Sequence, residues 1–297
     1  MKLTNKRNLP EAFVQAVKND GYTRGDADLS VTQAIDAPQV VELTRRHWDQ
    51  LEEDVEDRVW SLFGQATHTI LERANKTAVA ERRLSIEVEG WKISGGMDLY
   101  DMHGTLTDYK TTSAWSLIFD GLEKWEKQLN CYAVILRANG HKVEKLQAVA
   151  ILRDWQRSKA DMDASYPQSM VVNINIPVWP AEIAERYLRE RVILHQQARL
   201  TKNMPACTNK ERWVRDEAWA VKKVGGKKAL SGGVFKSEAE ARAFVGFDKG
   251  LIIEHRPGSP NRCLNYCAVS KFCPQFQSSL TESDGPSDAV IEQTQAG

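Results

Sequence analysis

Residues 96–113, "GMDLYDMHGTLTDYKTTS", place two aspartates, Asp98 and Asp108, ten positions apart and a lysine, Lys110, two positions after the second. The run around them has strand character, and Met102–Gly104 punctuates it as a turn. With that turn centred on His103, Asp98 and Asp108 stand opposite one another on antiparallel strands, where facing side chains lie about 5 Å apart. Lys110 falls on the same face, because strand side chains alternate with a period of two. Facing carboxylates repel, and a cation between them removes the penalty. Hard oxygen ligands of this kind suit Mg2+ or Mn2+. An ammonium beside a metal-bound water orients that water or stabilises charge developing on a phosphate, which is the chemistry of phosphodiester hydrolysis. The same three charges also fit the solvent face of an exposed hairpin, and spacing alone does not separate the two readings.

The flanking sequence sets this hairpin in an α/β order. Upstream, residues 38–50 and 55–76 have helical spacing; the second run presents Trp60, Phe63, Ile70 and Leu71 as its apolar positions and puts His68 and Glu72 one turn apart. From Ala78 to Tyr100 the pattern turns to loosely alternating strand, so the hairpin belongs to a meander of about three strands. Residues 121–138 return to helix, carry Gln128 and Tyr132 one turn apart, and stop at Asn139-Gly140. "KLQAVAILRDW" and "SMVVNINIPV" read as two further strands, and residues 180–201 as a helix. The fold class expected is α/β, a central mixed sheet flanked by helices. Residues 1–204 form the core with its helical N-terminal part, residues 205–277 a section packed on it, and residues 278–297 a disordered acidic tail.

Composition narrows the partners. No apolar run approaches the roughly 18 residues a membrane span requires, and no apolar signal segment follows "MKLTNKRNLP", so a cytoplasmic protein is expected. Forty basic and forty acidic residues cancel; the tail holds four acids (Glu282, Asp284, Asp288, Glu292) and no base, which leaves residues 1–277 at about +4. That bias permits nucleic acid without arguing for it. Lys222, Lys223, Lys227 and Lys228 flank two glycines in an expected hairpin, where they either reach phosphates or are simply solvated.

Taken in order, Gly64-x3-His68-x2-Leu71-Glu72, then Gly95-Gly96-Met97-Asp98, then Asp108-Tyr109-Lys110, then Gln128-x3-Tyr132, the chain resembles the RecB-like branch of the PD-(D/E)XK nuclease superfamily. Met97 stands where the superfamily's name has proline, as is common in that branch. The resemblance implies a restriction-endonuclease-like core and a metal-dependent deoxyribonuclease, most naturally an exonuclease of recombination, repair or phage DNA processing. It implies His68, Asp98, Asp108 and the main-chain carbonyl of Tyr109 as ligands of Mg2+ or Mn2+, Lys110 as the residue assisting the attacking water, and Gln128 and Tyr132 as residues that help position DNA. Partners implied are DNA and a helicase or single-strand annealing protein. The alternative is a non-catalytic DNA-binding or scaffold protein that keeps the fold; loss of the acid or the lysine would favour it, and both are present.

Of the five cysteines, Cys263, Cys267 and Cys273-Pro274 are clustered, Cys207 lies 56 positions before the first of them, and Cys131 falls inside the 121–138 helix as a core residue. A reducing cytosol disfavours a disulfide framework, which makes metal or cluster ligation the leading reading, with free buried thiols as a further alternative. Four thiolates suit a 4Fe-4S cluster or tetrahedral Zn2+. The grouping resembles the iron-sulfur nucleases of the same branch, although in many of those the remote cysteine precedes the nuclease motifs, whereas Cys207 follows them. Residues 205–275 have few apolar runs and much glycine and lysine, so this section is expected to depend on ligation for its order.

Overall fold

The structure, a computed structural model, describes residues 1–20, 25–74, 79–119 and 122–283. Its elements in chain order begin with β1 (Lys2–Thr4), α1 (Glu11–Lys18), β2 (Leu29–Ser30), α2 (Val31–Ala34), α3 (Pro38–Arg46), β3 (Glu52–Asp54) and α4 (Val55–Ala74). The meander follows as β4 (Val79–Val88), β5 (Trp91–Tyr100) and β6 (Thr105–Thr112). Then come α5 (Ala114–Phe119), α6 (Glu123–Ala138), β7 (Lys145–Leu152), α7 (Arg157–Met162), β8 (Val171–Ile176) and α8 (Ala181–Leu200). The remainder is β9 (Val214–Arg215), β10 (Ala218–Lys223), β11 (Ala229–Phe235), α9 (Glu238–Val245), β12 (Leu251–Arg256), β13 (Ser259–Pro260), α10 (Asn261–Asn265) and α11 (Pro274–Ser283). The chain divides into two compact units, Met1–Glu42 with Trp48–Pro205, and Leu43–His47 with the residues from Ala206 onward.

The first unit is the expected α/β body: a six-stranded mixed sheet ordered β2-β5-β6-β7-β8, with β4 also paired to β5. β4–β5, β5–β6 and β7–β8 are antiparallel, while β2–β5 and β6–β7 are parallel. On one edge β5 pairs with β4; on the other it pairs with β2 at Ile93–Ser94 and with β6 at Leu99–Tyr100, so the Asp98 main chain lies between two ladders. β2 is two residues long and was not anticipated from the sequence, because no period can be read from so short a strand. It runs straight into α2 through a capping box: Ser30 Oγ accepts from Gln33 N (3.2 Å) while Ser30 N donates to Gln33 Oε1 (3.0 Å).

β7 shows the alternation of a strand covered on one face, burying Leu146, Ala148, Ala150 and Leu152. α6 is buried around its whole circumference from Gln128 to Leu136, as its apolar "LNCYAVIL" run requires, and it packs in one core with Ile93, Met97 and Leu106 of the sheet and Leu188 and Val192 of α8. It ends at Asn139-Gly140 as expected. Gly140 (φ +82°) supplies the left-handed residue, Gly140 N donates to Arg137 O (3.0 Å) and His141 N to Leu136 O (3.0 Å), the pair of bonds that closes a helix C-terminus. Cys131 is fully buried in this core, and burial pushes its thiol up to about 12, so it is an inert apolar group.

His195 of α8 is 3% exposed with Nε2 3.2 Å from the Ala34 carbonyl. Burial, reinforced by the Arg191 charge, lowers its pKa to about 4. The unfolded chain therefore takes up a proton near pH 6.5 that the folded chain refuses until about pH 4. Stability is unaffected above that window and should fall through it as pH drops, by about 3 kcal/mol in total. Urea unfolding between pH 4.5 and 7.5 reads this slope, and His195→Gln, which keeps a donor for Ala34, should flatten it; equal slopes in the two proteins would remove His195 as the cause.

The second unit corrects the expectation that residues 205–275 cannot order themselves. β11, β10 and β12 form a three-stranded antiparallel sheet, and α9 covers it, burying Val221, Ala241 and Val245 among Trp219, Leu230, Phe235, Leu251 and Ile253. These apolar residues are scattered over short elements, two apart at Trp219 and Val221 and at Leu251 and Ile253, and four apart at Ala241 and Val245 of α9, and so make no long run in the sequence. Lys222 of the basic hairpin pairs with Glu254 on the neighbouring strand. α11 continues to Ser283, past the point at which the sequence reading began a disordered tail; residues 284–297 of that tail lie outside the described residues. Among the described residues no helix is long and apolar enough to cross a membrane.

Candidate active site

The hairpin holds the register read from the sequence only at its closed end. Leu99 pairs with Thr107 and Tyr100 with Leu106, a register that would carry Asp98 opposite Asp108. At that point the ladder gives way. The Asp98 side chain takes the main-chain donor of β6: Tyr109 N donates to Asp98 Oδ2 at 2.8 Å. β6 meanwhile pairs along its entire length with β7, including Asp108 with Ala148 and Lys110 with Ala150. The two aspartates are thus brought together by a carboxylate bridging two diverging strands.

α4 delivers the histidine. His68 Nε2 lies 2.9 Å from the Tyr109 carbonyl, and Nδ1 lies 3.2 Å from Asp98 Oδ1. Both ring partners are acceptors, so the imidazolium satisfies both; the bond to Asp98 raises its pKa above the ordinary value, against the desolvation that lowers it. Asp108 is 3% exposed, so it does not lie on the solvent face of an exposed hairpin. Burial raises its pKa, an effect partly countered by the Lys110 charge and reinforced by Asp98.

Lys110 Nζ lies 2.6 Å from Asp108 Oδ2 and donates to Gln128 Oε1 at 3.0 Å; Gln128 Nε2 in turn donates to Tyr132 Oη at 2.8 Å. Gln128 and Tyr132 are buried, so they hold Lys110 from inside the protein; the resemblance had led to the expectation that they help position DNA. The relay reaches back to β5. A Cβ at Gly95 would stand 2.8 Å from the Tyr132 ring, a contact that real Cβ atoms do not make, so glycine is what lets the tyrosine pack against the strand. Sequence reasoning noted Gly95 but had no means of seeing this purpose.

Two carboxylates, a main-chain carbonyl and an imidazole are groups that could hold a divalent cation. Asp108 Oδ2 is buried and receives no aligned hydrogen bond, its contact with Lys110 being an ion pair only. Such an oxygen is costly unless a cation meets it, and here the Lys110 ammonium does so. Among the described residues no group of three or more His, Cys, Asp or Glu is gathered into a ready-made metal cage. These groups instead satisfy one another, His68 with Asp98 and the Tyr109 carbonyl, Asp108 with Lys110.

The four remaining cysteines all lie in the second unit, and among the described residues they too are not gathered into a group placed to hold a metal ion. Cys207 N donates to Gln275 Oε1 (2.8 Å), and Gln275 Nε2 donates back to Cys207 O (2.9 Å). Arg262 N donates to Arg212 O (3.0 Å), and β9 pairs with β13, so residues 207–215 and 259–275 are laced together. The Cys207 thiol is within electrostatic reach of Cys273 and Cys263, and Cys267 is within reach of the same two. Desolvation, followed by Glu211 and the neighbouring thiols, pushes Cys207 up to about 12. All four are free of disulfides.

No protein-family model matches the chain, and no curated protein matches it. Among solved structures it is similar to the crystal structure of SSO0001 (TM-score 0.45, 18% identity, covering 68% of this chain and 89% of that one). It is also similar to a Eubacterium rectale protein bearing the name "Putative exonuclease" (TM-score 0.32, 14% identity, 56% of this chain and 62% of that one). At these similarities neither neighbour's properties transfer to this chain.

Proposed function

We propose that the chain is a metal-dependent deoxyribonuclease that hydrolyses phosphodiester bonds, acting as an exonuclease in recombination, repair or phage DNA processing in the cytosol, beside a helicase or annealing protein. The observation that carries this reading is the convergence of His68, Asp98, Asp108, the Tyr109 carbonyl and Lys110 from α4, β5 and β6, with Asp108 Oδ2 buried and lacking an aligned donor. His68, Asp98, Asp108 and the Tyr109 carbonyl would hold Mg2+ or Mn2+. That ion supplies an activated water and neutralises phosphate charge when bound. The chain's own contribution is the Lys110 ammonium, held by Gln128 and Asp108, whose remaining donor can hydrogen-bond an attacking water or a phosphate oxygen.

Cys207, Cys263, Cys267 and Cys273 would hold a structural 4Fe-4S cluster, with Zn2+ as the alternative. A half-buried thiol pushed as high as Cys207 is a poor isolated thiolate and becomes a good ligand only when a metal compensates the charge.

The direct test is digestion of end-labelled linear and circular DNA, single- and double-stranded, in Mg2+, Mn2+ or EDTA. Metal-dependent release from ends supports the reading; no hydrolysis under any of these conditions refutes it. In the same assay His68→Ala should raise the Mn2+ concentration needed for half-maximal cleavage by about tenfold or more while leaving DNA affinity in EDTA unchanged. Coincident metal titrations of mutant and wild type would assign His68 to structure alone.

A further inference from the structure

The sequence marks Trp60, Phe63 and Ile70 as the apolar face of α4, and the structure leaves these three side chains 54%, 55% and 65% exposed. Trp60 and Phe63 adjoin, with ring centroids 5.6 Å apart and planes inclined at 42°. Single exposed apolar residues are ordinary, but a pair of large rings side by side on a helix with a built cationic partner is not. That partner is Arg153, whose guanidinium lies 4.4 Å from the Trp60 centroid. It comes from the chain just beyond β7, where Arg153 N donates to the carbonyl of Thr112, two residues past Lys110. Trp115, 58% exposed, follows three residues after Thr112 on α5.

The platform is continuous with the carboxylate site. Trp60, Gly64 and His68 fall at i, i+4 and i+8 on α4, one stripe about 12 Å long. Its midpoint, Gly64, passes β6 at Thr111, with a Cβ position 3.6 Å from Oγ1. The charge around the rings selects the occupant. From Arg58 to Leu71 α4 carries no acidic residue, and residues 113–119 carry no charge at all. Arg153 and Arg157 are exposed, and the intervening Asp154 carboxylate is committed to capping α5 through Ala114 N at 2.7 Å. Glu56 and Asp57, one turn before Trp60, are engaged by Arg7 (3.2 Å) and by Asp54 N. Rings beside an arginine, with the adjoining acids so engaged, suit an unpaired nucleic-acid strand, whose bases offer π faces that a duplex keeps inside its stack.

We propose that Trp60 and Phe63, with Arg153 packed on Trp60 and Trp115 flanking, form a stacking platform for the bases of a single DNA strand. The delivery of that strand's phosphate to Asp98, Asp108 and Lys110 rests on the nuclease reading; the platform itself does not. Arg153 holds the indole in place before the strand arrives, so less freedom is lost on stacking.

The test is fluorescence anisotropy of the full chain with a labelled oligothymidylate of about 16 nucleotides, in EDTA so that cleavage does not enter, against an abasic strand of equal length and a blunt duplex. Stacking is worth about 1–3 kcal/mol per base, so Trp60→Ala should weaken oligothymidylate binding roughly 5- to 100-fold, and Trp60→Phe should recover most of it. The abasic strand should already bind the wild type weakly and should not respond to the substitution. Because Trp60 is exposed, thermal melts of both variants should match the wild type. Equal oligothymidylate affinity in wild type and Trp60→Ala, equal affinity of the wild type for abasic and normal strands, or no strand binding would each overturn the platform. So would a Trp60→Ala variant that only shifts a dimer to monomer in sedimentation, which would assign the rings to a second copy of the chain. Strand binding with these properties but no cleavage in Mg2+ or Mn2+ would keep the platform and refute the nuclease reading; normal cleavage with unaltered Trp60→Ala binding would do the reverse.

Discussion

Asp108→Asn is expected to abolish cleavage, by on the order of 10^3-fold or more, in a protein that melts within a few degrees of the wild type or above it. The two halves of this expectation have the same cause. The carboxylate is 3% exposed and burial raises its pKa, so it sits where a charge is costly unless a cation meets it. Asparagine keeps the volume and removes the charge, while Lys110 retains Gln128 as a hydrogen-bond partner. Lys110→Met should be equally inactive but less stable. It leaves Asp108 buried without its compensating cation, and breaking one partner of such a pair costs about 3–5 kcal/mol. That loss should shrink as pH falls and Asp108 takes up a proton, because protonation removes the uncompensated charge. Cleavage assays with each purified variant, paired with melts at pH 5 and 7.5, separate these effects. Substantial Mg2+-dependent activity in Asp108→Asn would end the assignment of Asp108 as a metal ligand, and a Lys110→Met variant as stable as wild type at pH 7.5 would contradict the buried ion pair.

Anaerobically purified protein is expected to be brown, with about four iron and four sulfide per chain. Cys207→Ala should lose the colour and expose the terminal segment to protease. The extent of that exposure is specific to this fold. Val221, Ala241 and Val245 form a core of their own between α9 and the β11-β10-β12 sheet, and none of the four cysteines belongs to it. What a metal on these thiols would hold is the lacing of residues 207–215 to 259–275, which is otherwise maintained by the Cys207–Gln275 pair of hydrogen bonds, main-chain contacts, and the contacts of Arg262 and Tyr266 with Glu211 and Trp213. Limited proteolysis should therefore cut near residues 200–216 and after residue 256 while residues 218–256 persist as a fragment. Closing a loop of this length with a ligand set acts mainly on the unfolded chain, so the loss should register in stability before it registers in chemistry. Colourless protein with one zinc per chain would replace the cluster by a zinc site, and Cys207→Ala with full iron would remove Cys207 from the ligand set.

The α/β order, the hairpin about His103, the close of α6 at Asn139-Gly140 and the grouping of the cysteines were all readable in the chain, because each depends on neighbours within a few residues: a period of two, a turn, a left-handed glycine, a spacing. α4 shows where local information ends. Its residues are apolar or small around most of its circumference between Val59 and Leu71, so the pattern names the apolar positions Trp60, Phe63, Ile70 and Leu71 without choosing a face, and hydrophobicity alone would turn them inward. Packing against the strands decided otherwise for Trp60, Phe63 and Ile70, and turned His68 toward Asp98 and the Tyr109 carbonyl. The burial of Asp108, the relay from Gly95 through Tyr132 and Gln128 to Lys110, and the separate core beneath α9 were likewise beyond the sequence. Each joins residues whose separation along the chain carries no period, so only the closing of the sheet and the docking of α4 and α6 bring them within a few ångströms. The sequence by itself determined which groups are available for chemistry; the tertiary structure decided which are desolvated and which atoms they face, because desolvation and Coulomb energy depend on distances that local periodicity does not encode.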